Sequence, residues 1–526
     1  MNSVLILGAG FMQGPAIRIA KQKGLKVYAA DANPAAVCAK EADVFLHIDL
    51  KDKEGLAEAA MKIPALLGVF TAGTDFSASV AWVAEKLALP GPSYEAALNA
   101  SDKSRMRKVL KEAGIPVPAF ANASADSDPL ELAKKVGPLP LVVKPVDSMG
   151  SRGCRLARNA NELKEGWAAA INSSNSKRAI LEEYLDGPEF SLDALVYDGQ
   201  MHIRGIADRF VYFEPYFVEM GHTMPSSYNA EILKEVEDIF VKGIKALGID
   251  YGAAKGDIKY TRNGAFVGEI AARLSGGYMS GWTYPYSSGI NLTGEALDIA
   301  CGKKPDFAKP ITKLSSSERA WISIPGKVES IFGLEKASTK TFVKNVFPIA
   351  EVGTTVVFPS NNVQKCGNII AVATSQLVAD AVAEATARDI LLKLAVDNDS
   401  TIAFINKNKE WAWVRDAFSG LSAMTLASLD KMPDILKLPE NTKTAPRVTI
   451  APLPGIDAEE ARDWQDRSIS DALEAVKLLC KASVGMDGDL VIGAGFWKAF
   501  LRGGYQGGVW AIDRVLHRVL HENYKT

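Results

Sequence analysis

The first hundred residues alternate between two hydrophobic periods. Val4–Leu7 is a continuous, β-prone apolar run, a glycine-rich turn follows, Ala16-Ile17 and Ile19-Ala20 recur at helical spacing, and Leu25–Ala30 is a second apolar run ending at Asp31. That order predicts a βαβ unit, and the runs Val44–Ile48 and Leu67–Phe70 extend it to a parallel sheet flanked by helices. Beyond Ser101 the pattern changes. A helix is predicted over Lys103–Ala113, stopped by Gly114 and the extended Ile115-Pro116-Val117-Pro118. The polar stretch Asn122–Asp128 reads as a loop. Strands are predicted at Leu141–Lys144, Ile180–Tyr184, Phe190–Tyr197, Met201–Ile206, Ala254–Tyr260 and Ala265–Ile270, with Asp198-Gly199 and Asn263-Gly264 as hairpin turns.

Short strands and turns fill residues 306–398, closing with the helical run Ser375–Leu394. The remainder, 399–526, holds five of the chain's nine tryptophans, enough for a core of its own, and its Pro-bearing stretch Leu438–Pro454 reads as an internal loop. The expected fold is thus α/β followed by α+β. A Rossmann-like domain spans 1–97, an α+β domain 98–305 with a lid at about 115–180, a β-rich lobe 306–398, and an extra mixed tail 399–526.

Composition narrows the function. The 526 residues carry 60 Lys+Arg against 62 Asp+Glu, a formal charge of −2 that argues against a wholesale nucleic-acid partner. Hydrophobic residues make up 48%, as expected of a globular chain with a large core, and no apolar run reaches the ~20 residues of a membrane span, so a cytoplasmic protein is expected. The five cysteines are odd in number and widely spaced, which fits free thiols. His517 and His521, at i, i+4 beside Arg514 and Arg518, read more readily as a solvated basic face than as a metal pair.

Gly8-Ala9-Gly10-Phe11-Met12-Gln13-Gly14 sits between strand and helix, with Asp31 at the distance of a dinucleotide fingerprint, but Gln13 stands where the third glycine belongs. A glycine-rich βα turn directs backbone N–H groups at any anion, so the turn alone does not specify NAD(P). Leu490–Phe496 echoes it, but Trp497 and Phe500 follow, and the echo reads as chance or packing.

The richest chemistry follows. Lys144 ends an apolar strand and precedes the Gly/Ser loop Asp147–Gly153, a fixed cation beside small residues whose N–H groups can close over phosphate oxygens. Asp257 and Glu269 lie on strands joined by Asn263-Gly264, where two carboxylates can face one cleft and hold Mg²⁺, and Arg273 adds a planar donor. Each feature alone is weak, since a strand carboxylate is commonly just salt-bridged.

In order and spacing these pieces resemble the ATP-grasp superfamily over about residues 1–400, specifically its carboxylate–amine ligases with nucleotide domains like those of carbamoyl-phosphate synthase large chain and biotin carboxylase. The matching strings are Ala100-Ser101-Asp102-Lys103, Ala113–Pro118, Val143-Lys144-Pro145 with its glycine loop, Glu182-Glu183-Tyr184 with Gly187-Pro188-Glu189, and Glu269–Arg273. The resemblance makes residues 1–97 a pre-ATP-grasp domain. It implies Lys103 and Lys144 at the ATP phosphates under a lid bearing Ser148, Gly150, Ser151 and Gly153. It further implies Glu182 with the backbone of Tyr184 and Leu185 at the adenine edge, Glu189 at the ribose, Asp257 and Glu269 at Mg²⁺ or Mn²⁺, and Arg273 at an acyl phosphate. His222, in Glu219-Met220-Gly221-His222, is implied near the phosphates; a satisfied loop histidine is the alternative.

Two positions depart from the family pattern. Asp257 replaces a longer Glu, and Ala271 replaces an Asn two residues past Glu269, which puts the second metal position in doubt. The implied partners are a small-molecule carboxylate and an amine, with no nucleic acid and no membrane, and a homo-oligomer is compatible. Tyr278–Tyr286 is the candidate substrate contact, with Arg204 and Arg209 as further carboxylate grips. The competing readings are an NAD(P)-dependent oxidoreductase, carried by the opening turn, and a non-catalytic nucleotide-binding scaffold, carried by Ala271 and the tail.

Overall fold

The structure is a computed structural model that describes residues 1–307, 309–440 and 445–521. The chain gathers into two compact units. The first holds Met1–Glu318 with 360–362 and 370–381, and the second holds Arg319–Pro359, 363–369 and the described residues from 382 onward.

The first unit opens as its hydrophobic periods predict. Strands β1 (Ser3–Leu7), β2 (Lys26–Asp31), β3 (Val44–His47) and β4 (Leu66–Phe70) form a parallel sheet in the order β3-β2-β1-β4, with α1 (Gly14–Gln22), α2 (Lys53–Ala60) and α3 (Ser77–Lys86) between them. All five residues of β1 are buried, as a run without polar alternation requires when both faces are covered. After α4 (Tyr94–Ser101), Asp102 starts α5 (Lys103–Glu112) by accepting from the backbone N–H groups of Ser104 and Arg105.

A second, antiparallel sheet contains β5 (Phe120–Ser124), β6 (Leu141–Pro145), β7 (Arg155–Ala157) and β8 (Arg178–Glu183) in the order β5-β8-β6-β7. Helix α7 (Ala160–Ser173) buries Leu163, Trp167 and Ala170 with Leu141, Val143 and Leu181 of this sheet, and α6 (Pro129–Val136) packs partly buried Leu130, Ala133 and Val136 against them. The third sheet includes β9 (Glu189–Tyr197), β10 (Gln200–Tyr212), β11 (Val218–Met224), β12 (Gly252–Thr261) and β13 (Gly264–Ala271), five of its eight strands, in the order β13-β12-β9-β10-β11. Helix α8 (Ala230–Leu247) sets Val236, Phe240 and Ile244 into its core. The approach is close enough that a Cβ on Gly256 would lie 2.6 Å from the Phe240 ring.

In the second unit, Gly326–Phe332 pairs with Thr355–Val356 and Leu391–Leu394, and a separate four-stranded sheet joins Ile435–Lys437, Leu490–Ile492, Val448–Ile450 and Ser483–Val484. The long helical run Ala494–His521 breaks at Gly504, whose φ of 61° and ψ of −152° are not helical. Gln506 accepts from Ile324 N and donates to Ser323 Oγ and Leu392 O, and Tyr505 Oη accepts from Leu392 N. The described residues after 398 therefore belong to the same compact unit as residues 319–359.

Three local expectations differ from the structure. Asn122–Ser124 is strand rather than loop, because the antiparallel partner Arg178–Ile180 satisfies its backbone. The run Ser375–Leu394 is helical only to Asp389, and Leu391–Leu394 leaves it as a strand. Val448–Ile450, placed in a loop, is a buried strand; residues 441–444 of that predicted loop lie outside the described residues. No described helix is long and apolar enough to cross a membrane.

Candidate active site

The end of β6 and the start of α5 converge on one group of ionised side chains. Lys144 alternates outward from an apolar strand, and its Nζ donates to Glu182 Oε2 on neighbouring β8 at 2.7 Å. The other Glu182 oxygen accepts from Arg107 Nε at 2.7 Å, and Arg107 Nη2 also reaches Gly268 O at 2.6 Å. Glu182 is 1% exposed and Arg107 not at all. Burial alone would raise the Glu182 pKa, but the two cations outweigh it and bring it down to about 2. Burial likewise disfavours the Lys144 charge, and the Glu182 carboxylate more than offsets this, holding the ammonium above its ordinary range.

The hairpin of β12 and β13 supplies the acids. Asp257 and Glu269 are direct cross-strand partners, and the ladder shifts immediately after Asp257. Asp257 accepts from Ser191 Oγ at 2.6 Å, lies 3.2 Å from Arg209 Nη1 and contacts Lys255 Nζ. Arg209 also pairs with Glu189 and, at 2.8 Å, with Glu219, which keeps its guanidinium charged despite burial. Glu269 Oε2 is 3.7 Å from Lys103 Nζ. Burial opposes its ionisation, yet Lys103, Lys255, Arg273 and Lys144 drive its pKa well below the carboxylate range. Two carboxylates on one face are a donor set that suits Mg²⁺, with Asp257 sharing its oxygens with Lys255 and Arg209.

The glycine loop folds against these groups. Lys103 Nζ donates to Ser148 O at 2.9 Å, Arg273 Nη2 meets Met149 Sδ at 3.3 Å, and Arg152 reaches Asp75 at 3.2 Å. Gly150, Ser151 and Gly153 all have positive φ, so the loop turns sharply, and Ser151 does so against its steric preference. Asn362 N donates to Gly150 O at 2.9 Å.

The structure therefore brings Lys103, Lys144, Glu182, Glu189, Asp257, Glu269 and Arg273 into one contiguous network, with Ser148, Gly150, Ser151 and Gly153 against it. The Glu182 carboxylate, expected at an adenine edge, is instead enclosed between Arg107 and Lys144. Its surroundings make it an anchor for Lys144. Tyr184 lies beyond, with its Oη donating to Glu214 at 3.2 Å, followed by half-buried Leu185. Arg204, a candidate carboxylate grip, pairs with Glu295 at 2.9 Å.

His222 is buried, with Nε2 at 2.7 Å from Thr283 Oγ1 and Nδ1 at 3.3 Å from Glu318. Glu219, His222 and Glu318 each bring one potential ligand atom within 4.8 Å of the others. Sequence reasoning passed over Arg107, Lys255 and Asp193. Arg107 lies in a basic stretch that resembles a solvated helix face. Asp193 is fully buried and takes Ser275 N and Oγ on Oδ1 at 2.8 and 2.9 Å, while Oδ2 is buried without a hydrogen-bond partner among the described residues. Its pKa is pushed up to about 6 by burial.

In the opening turn the side chains of Asp31 and Gln13 bond the protein's own backbone. Asp31 Oδ2 accepts from Ala9 N at 2.8 Å and Oδ1 from Asn33 N, so its carboxylate closes the turn. Gln13 is buried and clamps both backbone groups of Ala72, and its Cγ would lie 3.1 Å from a Cβ on Gly8. The side chain therefore fills the space beside the first glycine. Gly493 of the later echo packs under Pro433 O, as the packing reading expected.

The chain is also similar to known proteins. Residues 137–281 match the ATP-grasp domain family and residues 320–395 the L-amino acid ligase C-terminal domain 2. An uncharacterised Sinorhizobium fredii protein, y4rH, is 26% identical over 329 residues, 62% of this chain and 68% of that protein. Human carnosine synthase 1 is 24% identical over 332 residues, and the match spans 58% of this chain but only 40% of that enzyme's length. Among solved structures, an L-amino acid ligase from Bacillus licheniformis superposes with a TM-score of 0.66 at 22% identity, over 75% of this chain and 99% of that one. A phosphoribosylglycinamide synthetase from Anaerococcus prevotii gives 0.60 at 21% identity, over 75% and 100%. At these identities the structural likeness shows the fold.

Proposed function

Because the chain carries an ATP-grasp domain, we propose that it is an ATP- and Mg²⁺-dependent ligase joining a small-molecule carboxylate to an amine, with release of ADP and phosphate. The observation that carries this is the facing pair Asp257 and Glu269, ringed by Lys103, Lys144, Arg209 and Arg273. The L-amino acid ligase C-terminal match and the carnosine synthase relative support amino-acid-like substrates. A cytoplasmic location and self-association fit this reading.

The work of the protein is charge placement. A substrate carboxylate oxygen attacks the γ-phosphorus, the bond to the β-phosphate oxygen breaks and ADP leaves, giving an acyl phosphate. The amine then attacks the carbonyl carbon, phosphate departs, and the amine loses a proton to give the amide. Lys144 and Lys103 supply fixed positive charge at the transferring phosphoryl group, and Glu182 holds Lys144 in place and protonated. Mg²⁺, bound through Asp257 and Glu269, would neutralise phosphate oxygens as charge develops. Arg273, anchored by Thr74 O at 3.0 Å and Leu274 O at 2.9 Å, would face the acyl phosphate. The loop Ser148–Gly153 excludes water from that reactive mixed anhydride.

Hydroxylamine tests the reading. It should trap an acyl hydroxamate when ATP, Mg²⁺ and a suitable carboxylate are present, with ADP released in equal amount. No hydroxamate across a broad panel of acids, despite ATP binding, would leave a nucleotide-binding scaffold as the better description.

A further inference from the structure

Both oxygens of Asp257 are already engaged by the protein. Ser191 Oγ donates to Oδ1 at 2.6 Å, and Oδ2 meets Arg209 Nη1, at 3.2 Å, and Lys255 Nζ. A divalent ion that claims this carboxylate therefore displaces a protein cation. Arg209 keeps Glu189 and Glu219 as partners when it gives way. Lys255 is placed differently. Its side chain is 12% exposed, and among the described residues its ion pair is with Asp257. An ammonium left unpaired in so dry a place is strongly unfavourable.

The register of β9 against β12 supplies a second acceptor. Lys255 is the cross-strand partner of Asp193, as Asp257 is of Ser191, so these four side chains share one face of the sheet and Lys255 is flanked by two carboxylates. Directly opposed residues have Cβ atoms about 5 Å apart, well within the swing of a lysine stem. Asp193 is fully buried. Ser275 N and Oγ both bond its Oδ1, at 2.8 and 2.9 Å, while Oδ2 is buried without a hydrogen-bond partner among the described residues. Burial raises the Asp193 pKa, whereas Ser275, Arg273 and Lys255 each pull it down, as expected of an ammonium close by. Glu269 also feels the Lys255 charge, but it faces the same cation as Asp257 and is engaged together with it.

We propose that Asp193 is a positioning residue for the cation site: when a divalent ion takes Asp257 Oδ2, the Lys255 ammonium crosses the β9–β12 pair to Asp193 Oδ2, and the buried charges stay paired in both states. The exchange makes and breaks hydrogen bonds only and moves no proton. This rests on the reading of Asp257 and Glu269 as the ligands of the ligase's Mg²⁺.

Mn²⁺ affinity of the full chain, read by electron paramagnetic resonance without ATP, compares the native chain, Asp193→Asn, Lys255→Met and the double variant. The comparison is made at about pH 7.5, where Asp193 is ionised. Asp193→Asn keeps an oxygen for Ser275 and removes the charge, so Mn²⁺ should bind about tenfold more weakly, within the ~5–150-fold span of coupled sites. In the Lys255→Met background there is no ammonium to rehouse, and the same change should cost roughly 3-fold or less, the share of through-space attraction. An equal loss in both backgrounds, or no loss in either, overturns the transfer. The NMR signal of the Lys255 ammonium, assigned by its absence in Lys255→Arg, gives a second reading. With Mg²⁺ present it should stay sharp in the native chain and broaden by exchange with water in Asp193→Asn. Broadening in the native chain would mean that Lys255 is released to solvent, which also overturns the transfer. Coupling without hydroxamate formation sinks the ligase reading and leaves the transfer standing, whereas hydroxamate formation without coupling does the reverse.

Discussion

Asp257 and Glu269 stand directly opposite each other across the β12–β13 hairpin, so their side chains share one face of the sheet. Lys255, two residues before Asp257 and on the same face, contacts Asp257 Oδ2. Asp257→Asn or Glu269→Gln removes one of two anions from the site proposed to gather Mg²⁺ and polyphosphate. Loss of ~3 kcal/mol of charge stabilisation lowers hydroxamate formation about 100-fold. Lys255→Met removes a cation competing for Asp257, and Mn²⁺ should then bind more tightly, by about tenfold. Mn²⁺ titration followed by electron paramagnetic resonance reads both effects directly. Unchanged affinity in all three variants would displace the metal from this pair.

Glu182 answers to two buried cations. Glu182→Gln keeps an oxygen that can accept from Arg107 but removes the negative charge that both Arg107 and Lys144 face, and breaking a buried pair in this way costs about 3–5 kcal/mol. Acid should do the same to the native chain. The unfolded chain protonates Glu182 near 4.5, the folded one only near about 2. Its contribution of ~3 kcal/mol is therefore complete above pH 4.5 and disappears as pH falls toward 2. Urea midpoints of native and Glu182→Gln chains should converge over that window.

These two cases show what the sequence could disclose. That Asp257 and Glu269 lie on paired strands was legible because Asn263-Gly264 marks a tight hairpin; that they stand opposite each other depends on the register shift after Asp257, without which Asp257 would face Gly268. The role of Glu182 was not legible, because its partner Arg107 sits in Lys103-Ser104-Arg105-Met106-Arg107-Lys108, where charge reads as solvent-facing. Only the meeting of α5 with β8 and β13 shows that this arginine is fully buried. The opening turn misleads for a similar reason: Gln13 and Asp31 stand where a cofactor's partners would be, yet both are spent on the protein's own backbone. Strand and helix positions were recoverable from periodicity, except where a partner strand decided the matter, as at Asn122–Ser124.

The tail is held by polar ties as well as by packing. Gln506 is buried and bonds Ile324, Ser323 and Leu392, and Arg502 donates to the carbonyls of Phe404, Trp411 and Val414. Gln506→Leu leaves Ile324 N without its acceptor, at a cost of about 1–3 kcal/mol. A thermal melt should register the loss in the second unit. A chain ended at Asn398 exposes the apolar surface that Tyr505 and its neighbours cover, and limited proteolysis should then cut within residues 326–394, where the full chain resists.

Asp193 carries the opposite pH signature from Glu182. Burial raises its folded pKa to about 6 from an ordinary 3.8, so the folded state keeps a proton that the unfolded chain releases. Stability therefore falls as pH rises from about 4 to 6, by ~3 kcal/mol in all, and stays lower above that. Asp193→Asn retains an oxygen for Ser275 N and Oγ but carries no charge to bury. The difference in urea midpoint between variant and native chains should grow in the variant's favour between pH 4 and 6 and then level off. The gain reaches about 1–2 kcal/mol once the new amide, itself buried without an acceptor, is set against it. Asp193→Ala supplies the control: it removes the acceptor for Ser275, loosens the turn that carries Gly276 and Gly277 past Arg273, and should destabilise at every pH. A native-like pH slope in Asp193→Asn would mean that the carboxylate is ionised in the folded chain and that a bound cation or water meets Oδ2.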